Sequence, residues 1–247
     1  PIYVYRETGG YDGQYYAQLA CRPTLRDPAL LQAIDNLGYR ARRCLTSWTA
    51  WLLALGDPTR ALDIYTLINP FCWLVLAALL LVVFPPRSLH SFVAWIGLLC
   101  SAGVLGSVRL ALTDLPALTL ITAAAIVFQR GRPFGATGLL AAAVLARETS
   151  LLTFPAFRGE TLKRTLVRAV ACVAPFIGWY IYIRVTIGPG SDGWDNLTWP
   201  GVYFLAKWRY CLGDLGNEKY PLLAWTSLLS MIGITVLYLA VQVVSQG

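Results

Sequence analysis

Asp12 is the only acid in GGYDGQYYAQLACRP, Gly9 to Pro23, and it sits between glycines and tyrosines. Arg22, Arg26, Arg40, Arg42, Arg43 and Arg60 follow before the first long apolar run is complete. A single carboxylate can act as general base toward a hydroxyl. Arginine forms planar, two-pronged hydrogen bonds to phosphate that lysine does not, and 17 of the 20 basic residues are Arg. Each feature also has a plainer reading. Asp12 would cap a helix that begins near Gln14, the arginines would anchor a loop to anionic headgroups, and a GC-rich genome would account for the Arg excess.

Four further charges lie near the ends of apolar segments: Arg109, Asp114, Arg147 and Glu148. A charge at the bilayer centre costs about 2.5–3.5 kcal/mol on insertion scales, so such residues face a cavity or one another. Arg109 and Asp114 could pair, although a spacing of five is poor on a helix. Arg147 could hold a phosphate with Glu148 orienting it, or the two could neutralise each other. His90 is the single histidine, and the six cysteines form no CxxC pair. Cys72, Cys100 and Cys172 read as small buried hydrophobes, while Cys21, Cys44 and Cys211 fall in loops and are free to pair. No metal site is assigned.

These residues must be positioned by membrane elements. The chain is 57% hydrophobic and 13% charged, with 9 Trp and 13 Tyr, where soluble domains carry about 25% charged residues. Mean hydropathy is +0.57. The expected fold is an all-α membrane protein, a multi-helix transmembrane bundle with amphipathic juxtamembrane helices in its first outer loop. The net charge of +7 comes with no basic tract interleaved with aromatics, so nucleic acid is not an expected partner. Leu62–Phe84, Leu89–Val108, Leu110–Phe128, Leu166–Ile187 and Leu222–Val244 are five crossing candidates, each near the ~20 residues a helix needs. Within Pro133–Phe157, Arg147 and Glu148 break the apolar run, so two half-helices meeting at ARETS are expected to form a re-entrant hairpin.

That hairpin puts the turns carrying Arg87, Arg130 and Arg132, and Arg158 to Arg168, on one side, as the positive-inside rule asks. The resulting plan is an outer loop over 1–61 and a transmembrane bundle over 62–187 that includes the hairpin 133–157. A second outer loop at 188–220 and a last helix at 221–247 complete it. In the first loop, Gln14–Cys21 and Pro28–Leu37 read as short helices, the second with Asp27 as N-cap, and glycines 9, 10 and 13 give the backbone around Asp12 freedom to turn. Cys44–Leu55 is too short to cross. The Trp and Tyr of the second loop, Trp194, Trp199, Tyr203, Trp208 and Tyr210, suit the membrane interface and could also stack on sugars. Asn196-Leu197-Thr198 matches a glycosylation sequon, a pattern common by chance.

GYDGQYY, then a DPAL segment, an acid, GYRARR and an apolar helix ending ALGDP, resembles a bacterial group of integral-membrane glycosyltransferases of the GT-C superfamily. That group is similar in plan to lipid A aminoarabinose transferases and protein O-mannosyltransferases. TDLPALTL and LARETSLL follow in the matching order. The resemblance implies a sugar donor linked to polyprenyl phosphate, an acceptor it does not identify, and a catalytic Asp in the first outer loop, here Asp12. The leaving phosphate needs no acid, whereas a glycosidase would need two opposed carboxylates. The resemblance also implies substrate contacts from Tyr11, Gln14, Arg40, Arg43, Asp114, Arg147 and Glu148. The site would face outward from a bacterial inner membrane. Some relatives in the superfamily use a divalent metal; no cofactor is assigned here. The family's first helix lies before its outer loop, so the chain is expected to be a fragment. A transporter or flippase-like protein, favoured by the ARETS break, and a non-catalytic assembly subunit are the competing classes.

Overall fold

Asp57 and Pro58 open the first long helix. The Asp57 carboxylate accepts the Arg60 amide at 2.9 Å, and Pro58 sits where a missing N–H costs nothing. In the computed structural model, which describes residues 11–157, 161–188, 200–213, 225, 228–233 and 235, this is α5 (Pro58–Val83). Before it come α1 (Asp12–Cys21), α2 (Leu30–Ala33), α3 (Leu37–Arg40) and α4 (Leu45–Leu53). After it come α6 (Leu89–Leu99), α7 (Ala102–Leu110), α8 (Asp114–Gln129), α9 (Pro133–Ala146), a 3-10 helix (Glu148–Phe157) and α10 (Leu162–Ile187). No strand occurs among the described residues. The chain divides into two units, Pro1–Asp192 and Gly193–Gly247. The second contains α11 (Pro200–Gly213), within the stretch expected to be an outer loop, where Trp208 packs with Cys211, Leu228 and Met231.

Among the described residues, three helices are long and apolar enough to cross a membrane: Pro58–Val83, Leu89–Leu110 and Leu162–Ile187, with mean hydropathies of 2.3, 1.8 and 1.7. Only 17% of the most apolar stretch of each is buried. Leu67, Phe71 and Leu74 of α5 and Ile177 and Ile181 of α10 therefore stand exposed. Continuous apolar surface of this kind needs a non-aqueous neighbour, and lipid meets that need. Leu89–Leu110 is interrupted at Cys100 and Ser101, where α6 gives way to α7.

The third expected crossing is shorter than anticipated. It begins at Asp114 as α8, with 16 residues, about 24 Å at ~1.5 Å per residue against an apolar thickness of about 30 Å. Leu222–Val244 lies largely outside the described residues, as do Tyr11's preceding glycines, Trp194, Trp199 and the Asn196 sequon.

Helices α8 and α9 run antiparallel. Ala124 and Ala136 share one cluster with Leu140, Phe157 and Cys172, and Asp114 meets Arg147 at the opposite end. Helix α9 stops at Ala146, Arg147 turns extended (φ −155°, ψ 118°), and the 3-10 segment returns. Fourteen residues of α-helix rise about 21 Å and ten of 3-10 helix about 20 Å, so the return matches the outward leg. The Phe157 ring accordingly lies 5.5 Å from Phe128. Arg168 of α10 closes this end, donating to Thr137 Oγ1 at 2.9 Å and covering the Phe128 ring at 5.1 Å.

The short helices of the first loop pack on protein. Tyr16, Leu19, Leu30, Ile34, Leu37 and Ala41 are buried together with Tyr65 of α5 and Ile183 of α10. The Trp179 indole donates to Ala41 O and the Tyr182 hydroxyl to Thr24 O, both at 2.7 Å. The expected helix Pro28–Leu37 is broken at Ile34, which is extended. Asn36 then caps α3 by accepting the Tyr39 amide at 3.1 Å, while Asp27 accepts the Ala29 amide at 3.0 Å. All six cysteines are free thiols, and Cys21 and Cys44 of the first unit do not pair with each other. Burial raises the Cys21 thiol pKa and pushes that of Cys44 up to about 12.

Candidate functional site

Helix α1 begins at Asp12 rather than near Gln14, with Tyr11 as its N-cap and no side-chain bond at the cap. Asp12 is therefore not the cap the plain reading required. Its carboxylate forms an ion pair with Arg40 Nη1 at 2.7 Å, and the other Arg40 arm reaches Asp35 at 3.0 Å. Arg40 also lies over the Tyr15 ring at 5.1 Å. The carboxylate is 43% exposed and lines an open cleft of about 600 Å³.

Gly13 secures this placement by close approach and not by a turn. It is helical, and a Cβ built there would fall 1.8 Å from the Leu110 carbonyl oxygen and 3.2 Å from that of Ala111. Ala111 is left-handed (φ 49°), and its carbonyl accepts the Tyr65 hydroxyl at 2.8 Å. The backbone at 110–111 is thus tied from behind and cannot retreat. Gly13→Ala is expected to destabilise the fold by about 1–3 kcal/mol, the range for overpacking. A thermal unfolding midpoint of the detergent-purified protein would report it; an unchanged midpoint would show that α1 can slide.

Asp114 and Arg147 line the same cleft as Asp12, together with Ser107 of α7 and Leu115 and Leu118 of α8. Arg147 Nη1 donates to Asp114, and its Nε lies 3.2 Å from Thr149 Oγ1. The partner of Asp114 is therefore Arg147, not Arg109, which is exposed. The Asp114 contact spans 33 residues, whereas Arg109 lies on α7, separated from α8 by the left-handed Ala111. Its lining joins the charged Asp12, Asp114 and Arg147 to aliphatic side chains, an arrangement suited to an amphiphile.

Arg43 and Glu148 meet behind the cleft. Arg43 is 6% exposed. Its Nε and Nη2 each lie 3.0 Å from a Glu148 oxygen, Nη1 is 2.9 Å from the Tyr16 hydroxyl, and Nη2 is 2.7 Å from that of Tyr39. Its fork is thus committed to protein, and Glu148 serves Arg43 rather than Arg147. Burial works to raise the Glu148 pKa, but the bond and charge of Arg43 outweigh it and hold the group below its ordinary value. Burial likewise opposes the Arg43 charge, and Glu148 reverses the effect and raises its pKa.

A carboxyl with a depressed folded pKa contributes stability above its unfolded value and loses it as pH falls through the folded one. The unfolding midpoint is expected to hold down to about pH 5 and to decline below about pH 4.3, the free Glu value. Asp35 is depressed too: its burial acts upward and Arg40 prevails. The contrast with Glu148→Gln isolates the Glu148 share, and that variant should decline less steeply with acid. Parallel profiles would remove Glu148 from the acid response.

Tyr11 is 53% exposed, and neither it nor Gln14 is among the residues lining the cleft. Tyr16, Tyr39, Asp35 and Ser107 were not singled out from sequence. Some signal was present: Asp12 and Tyr16 are four apart and share a face of α1. Among the described residues no group of three His, Cys, Asp or Glu side chains converges. Comparisons with protein-family models, with curated proteins and with solved structures return no match.

Proposed function

We propose that this chain belongs to an integral-membrane glycosyltransferase that moves a sugar from a polyprenyl-phosphate donor to an acceptor hydroxyl, on the outer face of a bacterial inner membrane. The observation that carries the reading is the single cleft onto which Asp12 and Arg147 both open, beside the ends of membrane-length helices. In the reaction the acceptor oxygen bonds to the anomeric carbon as the carbon–oxygen bond to phosphate breaks. The phosphate leaves with that electron pair, and Asp12 takes the hydroxyl proton. Arg40 orients the Asp12 carboxylate. Arg147 stabilises the charge gathering on the phosphate, and the leucines beside Asp114 accommodate the first part of the lipid. The α9 and 3-10 segment is a re-entrant hairpin with Arg147 at its outer tip, and α5, α6–α7, α8 and α10 form the bundle around it.

In this arrangement the donor phosphate replaces Asp114 on Arg147. Asp114→Asn should therefore lower KM for the lipid donor by up to about fivefold, the effect of a partly exposed ion pair worth ~0.2–1 kcal/mol. A raised KM would instead make Asp114 a donor ligand.

The test is transfer of label from polyprenyl-phosphate sugars to hydroxyl acceptors by membranes carrying the full-length protein. Label reaching an acceptor supports the reading. Absence of transfer from every donor tried, in membranes where the protein is inserted, would favour a transporter, for which the break between α6 and α7 beside the cleft is the supporting feature, or an assembly subunit.

A further inference from the structure

The charged side chains at the cleft, and the partner of Asp12, come from distant parts of the chain. Asp12 and Arg40 belong to the first loop; Asp114 and Arg147 belong to α8 and the tip of the α9 hairpin. The link between them is the pair behind the cleft. Arg43 follows Arg40 by three residues, Glu148 directly follows Arg147, and the two meet across 105 residues with both carboxylate oxygens engaged. Tyr16 of α1 and Tyr39 of α3 fill the remaining arms of the same guanidinium. Three elements thus converge on one buried fork: α1 carries Asp12, the 3-10 helix adjoins Arg147, and α3 carries Arg40, the partner of Asp12.

We propose that Arg43 and Glu148 are positioning residues that set the register of the first loop against the hairpin tip, and so the separation of Asp12 from Arg147. They act on the cleft from behind and touch no substrate. A two-pronged pair suits this role because it fixes orientation as well as distance, whereas apolar contacts would let the tip slide. The catalytic consequence rests on the transferase reading; the positional one does not.

The experiment places spin labels at Leu31→Cys and Leu152→Cys, both exposed in α2 and the 3-10 helix, in the full-length protein with Cys72 and Cys100 replaced by Ala. Interlabel distance distributions are compared for Arg43 and Glu148 intact, for Glu148→Gln and for Arg43→Lys, with donor KM and kcat measured on unlabelled protein. The expected result is a single narrow distribution with the pair intact and a broadened or bimodal one in both variants, each still folded. In the transfer assay kcat should fall at least tenfold with KM changed less than threefold. An unchanged distribution in both variants overturns the proposal, as does failure of both to fold, which would make the pair a general stabiliser. If the distribution broadens while no form of the protein transfers sugar, the positioning stands and the transferase reading fails.

Discussion

Asp12→Asn is expected to lower sugar transfer by about 10²–10⁴-fold, the usual contribution of a positioned general base. Asparagine keeps the size and the oxygen that Arg40 approaches at 2.7 Å, so the cleft should retain its shape while losing the group that receives the proton. Donor KM should change little, since the proposed reaction assigns the phosphate to Arg147 and not to Asp12. Because the side chain is 43% exposed and does not cap α1, the unfolding midpoint should move by no more than a degree or two, as for surface substitutions worth under ~0.5 kcal/mol. Parallel measurements of kcat, KM and midpoint separate the outcomes. Equal transfer by both forms would make Asp12 only a partner for Arg40. A collapse of the midpoint would make it a structural residue.

Arg43→Ala should be the most destabilising single change in the first unit, costing about 3–5 kcal/mol, the range for removing one partner of a buried ion pair. The loss leaves the Glu148 carboxylate, 25% exposed, without its fork, and takes from the hydroxyls of Tyr16 and Tyr39 the donors that satisfy them. Replacing Arg43 and Glu148 together by apolar residues of similar length should recover much of the cost, because no uncompensated charge then remains. Denaturant or thermal unfolding in detergent checks both. If Arg43→Ala unfolds like the parent, water reaches the pair and the buried-bridge account is wrong.

Much of the architecture was legible in the residues. Membrane-length apolar runs and the break at ARETS follow from local chemistry: hydropathy over about 20 residues, and charges that an apolar helix cannot carry. What local chemistry misjudged was stop points and partners. Helix Pro28–Leu37 failed at Ile34 because Asn36 offers a better start three residues before Tyr39. The third crossing begins only at Asp114 because the left-handed Ala111 closes α7 before it.

By itself, then, the amino-acid sequence determined an all-helical chain with membrane-length segments and the presence of an acid and several arginines where polar loop meets apolar helix. Tertiary structure alone decided which charges meet. Asp12 took Arg40, Asp114 took Arg147 and Arg43 took Glu148, although sequence spacing suggested Arg109 for Asp114 and Arg147 for Glu148. The reason is physical. Hydropathy and capping act over a few residues and can be read locally, whereas an ion pair between distant elements depends on how close those elements approach. Gly13 shows the point: its missing side chain matters because the Leu110 carbonyl of a helix nearly a hundred residues away lies against it.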